Sequence, residues 1–182
     1  MAAPSLHVSV QDNLKSAVAR LEVRSRKLVD DAAVRALNRT AGTVRTHAVR
    51  EIRKRYRIAA GVVRGQMRIV RANRGRLTAE VIATGRRIPL IHFSARQTAK
   101  GVTVRVTAER KLVRHAFIAT MPGGHTGVFA RKGRERLPIK EIFSLSLPQA
   151  FTQKQIIESL KAIARERFNI EFTRELKFRA GL

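Results

Sequence analysis

Cysteine and tryptophan are absent from this 182-residue sequence, and tyrosine occurs once. The absence of cysteine excludes disulfide bonds, thiolate zinc sites and cysteine nucleophiles. Aromatic residues make up only 5% of the chain, so a base-stacking platform for single-stranded nucleic acid would depend on a few phenylalanines. No apolar run approaches the roughly 20 residues needed to cross a membrane. The first residues also lack the pattern of an export signal, and we expect a soluble protein.

Acidic residues are also scarce, and this scarcity leaves a large excess of positive charge. The 13 Asp and Glu face 38 Lys and Arg, which gives a formal net charge of +25 at pH 7. Such an excess repels itself unless a polyanion or an acidic protein surface neutralises part of it. Of the cations, 28 are arginines, whose planar guanidinium binds phosphate or carboxylate through two parallel hydrogen bonds. Because 44% of the residues are hydrophobic, we expect a folded protein with an anionic partner.

Helical periodicity dominates the first third of the chain. The apolar residues that recur every three or four positions are Val29, Ala33, Leu37, Ala41, Val44, Ala48, Ile52 and Tyr56. This spacing predicts one long amphipathic helix, with Asp30 and Asp31 placed to favour the positive end of its dipole. A shorter helix is predicted over Gln11 to Arg24, and another short helical segment over Ile58 to Gln66. We therefore divide the chain into an N-terminal helical segment, 1–28, and a single α+β domain, 29–182.

After Gln66 the apolar period changes to that of β-strands. Val102, Val104 and Val106 alternate with polar residues, as in a strand with one buried face. The segments His115–Met121 and Thr126–Arg131 flank a Pro-Gly-Gly-His sequence that suits the turn of a hairpin. Together with short β-branched runs such as Ile88–Phe93, these segments predict one antiparallel sheet of about four to six strands.

The last third returns to helical periodicity. Thr152 to Gln155 fits the capping-box pattern at a helix start. The apolar stripe that follows consists of Ile157, Leu160, Ala164, Phe168, Phe172 and Leu176. A second seam, Ile156, Ile163 and Ile170, repeats every seven residues and predicts that this long helix contacts both the sheet and another subunit. The residues predicted to contact another subunit are Ile156, Leu160, Ile163, Phe168 and Phe172.

The candidate functional residues are cations. Between Arg45 and Arg76 the sequence contains many cations and one acid, Glu51, although a solvated helix face normally mixes both signs because like charges four residues apart destabilise a helix. Two further basic segments are predicted loops. The residues predicted to contact a polyanion or an acidic partner are Arg45, Arg50, Arg53, Lys54, Arg55, Arg57, Arg64, Arg68, Arg71, Arg74, Arg76, Arg86, Arg87, Arg131, Lys132, Arg134 and Arg136. The alternative is a generally basic surface, and spacing alone does not distinguish nucleic acid from protein.

Sequence motifs of catalysis are missing. The five histidines show no paired metal-ligand spacing, although His115 and His125 bracket the predicted hairpin. The carboxylates are scattered, unlike those of a two-metal nuclease, and neither a nucleophile elbow nor a phosphate-binding glycine loop is present. We therefore expect a protein that is not an enzyme, with no metal, cofactor or small-molecule substrate. Composition alone is equally compatible with a free basic DNA-binding protein that contacts the phosphate backbone.

Several short segments resemble one known family. They are Ala36–Leu37–Asn38–Arg39 on the predicted long helix, Gly85–Leu90, Ala116–Phe117–Ile118, Gly123–Gly124, the basic loop Arg131–Arg136 and Leu137–Pro138–Ile139. In this order they resemble the minor tail protein Z (tail completion) family of long-tailed bacteriophages, over most of Asp30 to Phe178.

The resemblance implies a virion structural protein that acts late in tail assembly and is assembled into the tail in the host cytoplasm. It implies a position at the head-proximal end of the tail, near the terminator ring, where such proteins help to position the genome end. The implied partners are tail terminator, tail tube or tape-measure proteins and the end of the double-stranded DNA genome. A homo-oligomeric ring, six-fold by analogy with tail symmetry, is expected, with no membrane contact.

Overall fold

The computed structural model describes residues 26–133, 135–151 and 154–181. The predicted helix over Gln11 to Arg24 and the first two residues of the predicted capping box, Thr152 and Gln153, lie outside these ranges. The helices are α1 (Arg26–Arg55), α2 (Ala60–Gly65), α3 (Leu147–Ala150) and α4 (Lys154–Ala180). The strands are β1 (Met67–Val70), β2 (Glu80–Ala83), β3 (Arg87–Pro89), β4 (Arg96–Thr98), β5 (Gly101–Val104), β6 (Lys111–Arg114), β7 (Ala116–Thr120), β8 (Thr126–Arg131), β9 (Ile139–Glu141) and β10 (Phe143–Ser146).

The two long helices, α1 and α4, pack against each other in antiparallel directions. Arg39 near the middle of α1 contacts Glu171, while Asp31 near its start contacts Arg179 at the end of α4. The predicted apolar stripe of α1 is buried from Val29 to Ile52, and Tyr56 is half-buried. The long amphipathic helix is therefore confirmed, and its apolar face forms one wall of the core.

The prediction of one sheet of four to six strands is wrong. The strands form four small antiparallel sheets, two with two strands and two with three: β1–β2, β3–β10, β4–β5–β6 and β7–β8–β9. Local backbone geometry explains the divisions. His115 has a left-handed φ of 58° and turns the chain between β6 and β7, so that these consecutive strands belong to different sheets. The ladder between β3 and β10 shifts register between Phe143 and Ser146.

The residues Ile88, Leu90, Ile91 and Phe93, predicted to form short strands separated by Pro89, form a strand only in part. Only Arg87–Pro89 is a strand, and Leu90–His92 forms a 3-10 turn. Proline explains the early end, since Pro89 has a fixed φ and no N–H for a ladder. The hairpin prediction is confirmed. Strand β7 pairs with β8 from Ala116↔Ala130 to Thr120↔Thr126, and Gly124 adopts a φ of +78° in the turn.

The β1–β2 hairpin is held against α1 by a pair of hydrogen bonds. The Asn38 side-chain amide donates to the Ala72 carbonyl at 3.1 Å, and its oxygen accepts from the Ala72 N–H at 2.8 Å. Both backbone groups of Ala72 are thus satisfied by one side chain, as a strand neighbour would satisfy them. This contact fixes the loop after β1 beside the first half of α1.

Candidate polyanion-binding surface

The predicted contact residues are on the surface wherever the structure describes them. Arg45 is half-buried, and the remaining described cations of the set are exposed. Arg134 lies outside the described residues. Exposure alone fits either a binding surface or a generally basic one, so the distribution of acidic partners decides which cations are available.

Acidic side chains neutralise the cations near the start of α1. Asp31 accepts two hydrogen bonds from Arg74, at 2.6 Å and 2.9 Å, and lies 3.4 Å from Arg179. Glu175, which is 4% exposed, contacts Arg39 at 2.7 Å. This group, which we call the ion-pair end, consists of Asp31, Arg35, Arg39, Arg74, Glu171, Arg174, Glu175 and Arg179. Its cations join α1, α4 and the loop after β1.

Two sequence-based expectations change at the ion-pair end. Arg74, predicted to contact an external anion, is occupied by Asp31. Asp31 itself was expected to favour the helix dipole, but α1 begins at Arg26 and its first turn contains no acid. The hydrogen bond from Arg74 lowers the pKa of Asp31, and the positive charges of Arg74, Arg179 and Lys27 act in the same direction, against partial desolvation.

The lowered pKa of Asp31 gives a pH-dependent stability. A carboxyl group whose pKa is lower in the folded chain contributes stability above its unfolded pKa, and this stability is lost as the pH falls through the folded pKa. We expect the wild type to lose more free energy of unfolding than Asp31→Asn when the pH falls below about 4. Urea denaturation at several pH values measures the difference. Asp30→Asn is the matched control, and equal acid sensitivity of wild type and Asp31→Asn would contradict the expectation.

The other end of α1 is different. Among the described residues, no carboxylate forms an ion pair with Arg50, Arg53, Arg55, Arg57, Arg64 or Arg68. Lys54 is paired with its own helix neighbour Glu51 at 2.6 Å. We call Arg50, Arg53, Arg55, Arg57, Arg64 and Arg68 the unpaired end, and all six side chains are exposed. Within the part of the chain that the structure describes, three carboxylates partly neutralise five arginines at the ion-pair end, whereas the six arginines of the unpaired end have no acidic partner.

The helix dipole accounts for part of this arrangement. Arg53, Lys54 and Arg55 occupy the last turn of α1, where cations interact favourably with the helix carbonyl groups. That benefit is a fraction of a kcal/mol per residue at the surface, and mutual repulsion opposes it. The cations beyond the helix, such as Arg64 and Arg68, gain nothing from the dipole of α1.

Of the other predicted cations, Arg45 lies in the second half of α1, and Arg71 and Arg76 lie beside Arg74 in the loop after β1. The rest lie in other parts of the fold. Arg86 and Arg87 lie at the start of β3, and Lys132 and Arg136 lie in the loop between β8 and β9. The Arg131 guanidinium lies over the Phe117 ring, 5.1 Å from its centroid, in a cation–π contact. The structure also adds a cation that sequence reasoning missed. Arg167 of α4 lines a surface groove together with Arg39 and Arg50 of α1.

The residues predicted to contact another subunit are mostly internal to this chain. Ile156, Leu160, Phe168 and Phe172 are buried in the core, and Ile163 is half-buried. A neighbouring subunit can reach these four side chains only if the fold opens. Along the same helix, Ile170 is 47% exposed and Phe178 is 76% exposed, so these residues are the surface on which a subunit contact of α4 can be tested.

The histidines that bracket the hairpin do not form a pair. His125 Nε2 lies 2.9 Å from Glu141 Oε1, and the described residues contain no cluster of three potential metal-ligating side chains. Of the helices that the structure describes, none combines the length and apolar character required to span a bilayer. The described chain is thus an α+β protein whose chemically distinctive feature is an unneutralised cationic surface.

Comparison with known protein families gives a match over most of the chain. The family model of prophage minor tail protein Z (GPZ) matches residues 12–180. The chain therefore belongs to the prophage minor tail protein Z family, which confirms the resemblance found in the sequence. No curated protein and no solved structure matches the chain.

Proposed function

We propose that this chain is a tail completion or head–tail joining protein of a long-tailed phage. Its family is that of a prophage minor tail protein, which implies a structural component of the virion tail. In the proposal, the protein lies at the head-proximal end near the terminator ring and helps to position the genome end. It acts by binding and not by catalysis, and it is assembled into the tail in the host cytoplasm.

The observation that carries the proposal, beyond family membership, is the uneven charge of the helix pair. A protein that only needed a soluble basic surface would gain from pairing its cations with acids throughout, as it does at the ion-pair end. The unpaired end is suited to an anionic ligand, either DNA phosphate or the carboxylates of a tail protein. Tail terminator, tail tube and tape-measure proteins are the proposed protein partners.

A ring of identical subunits, six-fold by analogy with tail symmetry, is part of the proposal. The exposed Ile170 and Phe178 offer apolar contact area, and the two-stranded β1–β2 sheet offers strand edges that a neighbour can extend. Repulsion between chains of net charge +25 opposes association in dilute solution. We therefore expect the ring to form on the tail or with an anion present.

Deletion of the gene from the prophage tests the proposal. We expect induced cells to release particles with visible heads and tails but a much lower infectious titre per particle, because the tail lacks its completed joint. Electron microscopy with plaque counts measures both quantities. Normal infectivity of a clean deletion would exclude the role and favour the alternative, a free DNA-binding protein that acts outside the virion.

Complementation then tests the unpaired end. The variant Arg53→Gln, Arg55→Gln, Arg57→Gln is expected to restore infectivity poorly. The matched control Lys154→Gln, Arg165→Gln, Lys177→Gln removes the same charge from exposed positions of α4 and is expected to restore it. Equal rescue by both variants would show that net charge, and not this surface, matters.

A further inference from the structure

A second cationic surface lies away from α1, in a groove of about 700 Å³ between the β4–β5–β6 sheet and the start of β7. Its walls carry Lys100, Arg114, His115 and Arg131, together with the ring of Phe117. Three of these positions, Lys100, Arg114 and His115, are not among the cations that the sequence singles out. Among the described residues that line the groove, none carries a carboxylate.

The fold brings these cations together through two tight turns. Lys100 precedes Gly101, which pairs with Arg114 across the ladder of β5 and β6. The His115 N–H donates to the Lys100 carbonyl at 3.4 Å, and the left-handed backbone of His115 then directs the chain into β7. The cations of one wall are therefore held by main-chain geometry.

The opposite wall is set by Arg131 at the end of β8. The pairing of Ala116 with Ala130 places the end of β8 beside the start of β7, and the Arg131 guanidinium lies over Phe117. A guanidinium that lies against an aromatic ring keeps its N–H edge free for a planar acceptor. The contact also orients Arg131, so less side-chain freedom is lost when an anion binds.

We propose that this groove binds the phosphate groups of a double-stranded DNA backbone. Clustered cations without a carboxylate suit a phosphodiester, which carries one charge per phosphate. An acidic protein partner fits less well, because the centre of a protein interface is depleted of charge and built on aromatic or aliphatic anchors. Here the Phe117 ring, which would be the apolar anchor of the groove, is covered by Arg131.

The inference deepens the proposed function, since the genome end is the DNA that the proposed position supplies. DNA binding by the groove is tested separately from the proposed role in the tail. If the groove binds DNA in solution and the deleted phage remains fully infective, the groove assignment stands and the tail role fails. If the deletion abolishes infectivity and the groove variants bind DNA normally, the tail role stands and the groove assignment fails.

The test uses the full chain and a fluorescent DNA duplex of arbitrary sequence, with anisotropy recorded at several salt concentrations. We expect the triple variant Lys100→Gln, Arg114→Gln, Arg131→Gln to bind the duplex at least about tenfold more weakly at low salt. The negative slope of log K against log salt is expected to decrease in magnitude by about 2 to 3, because each lost phosphate contact removes roughly 0.9 from that magnitude. Because all three side chains are exposed, we expect the variant to fold normally. Circular dichroism and thermal unfolding measure whether it does.

Two comparisons make the result specific. The variant Lys154→Gln, Arg165→Gln, Lys177→Gln removes the same charge elsewhere and is expected to retain most of the affinity. Arg114→Lys, Arg131→Lys keeps the charge and is expected to lose part of the affinity, because an ammonium lacks the planar fork. Equal loss by the groove and α4 variants would overturn the proposal. Binding of polyglutamate that depends on the groove cations, with no such dependence for DNA, would overturn it in favour of an acidic protein.

Discussion

Replacement of Phe168 by alanine is expected to lower the free energy of unfolding by about 3 to 5 kcal/mol. Phe168 is completely buried, and its ring stacks on Phe172 with 5.3 Å between centroids. Its removal leaves a cavity at the packed face of α4, and the surrounding helices can relax only in part. Urea denaturation with linear extrapolation measures the change.

The matched control is the same substitution farther along the same helix. Phe178 is 76% exposed, so Phe178→Ala is expected to change the free energy of unfolding by no more than about 0.5 kcal/mol. A loss below about 1 kcal/mol in Phe168→Ala would contradict the packing of α4 described above. The same outcome would favour the predicted role of Phe168 in a subunit interface, where its side chain would not contribute to the stability of a single chain.

Gly101→Ala is expected to destabilise the chain by about 2 to 4 kcal/mol. Gly101 has a φ of +143°, and a Cβ atom there would lie 2.2 Å from the Val113 carbonyl oxygen. Both the backbone conformation and the clash oppose any side chain at this position. The clashing oxygen belongs to the backbone, so no side-chain rotation can relieve the clash. Because this turn positions Lys100, the variant is also expected to bind DNA more weakly.

A glycine in the opposite situation provides the control. Gly42 lies within α1, and apart from its two chain neighbours and the adjacent helix backbone, no described atom comes within 4 Å of the position of its absent Cβ. Gly42→Ala is therefore expected to stabilise the chain by about 0.5 to 1 kcal/mol, because alanine favours a helix interior. The two variants should move in opposite directions in the same denaturation experiment. A similar effect at both positions would show that the β4–β5 turn is not as tight as described.

Local periodicity was sufficient to predict the two long helices, α1 and α4, and the β7–β8 hairpin. The stripe from Val29 to Ile52 is buried as expected, and the glycine-containing turn joins β7 to β8. These features depend on neighbours within a few residues. The division into four sheets depends on single backbone conformations, such as that of His115, which a histidine adopts rarely and without a sequence signal.

The candidate site was predicted only in part, for a related reason. Helical spacing shows that Ile156, Leu160 and Phe168 share a face, but it does not show whether this chain or another covers that face. Charge density identified the cations near the end of α1. It did not show that Arg74 forms an ion pair with Asp31, which lies 43 residues earlier in the chain. Lys100, Arg114 and Arg131 are scattered along the sequence, and strand pairing alone makes them neighbours.

The contrast between the two ends of α1 has a kinetic consequence. A body whose positive charges are partly neutralised at one end and not at the other experiences a torque in an external field, so it rotates before it touches an anionic surface. Encounters would begin with the same pole foremost, at rates that fall as ionic strength rises. For a protein with the proposed tail completion role, such alignment during approach would shorten the search for the one productive docking pose.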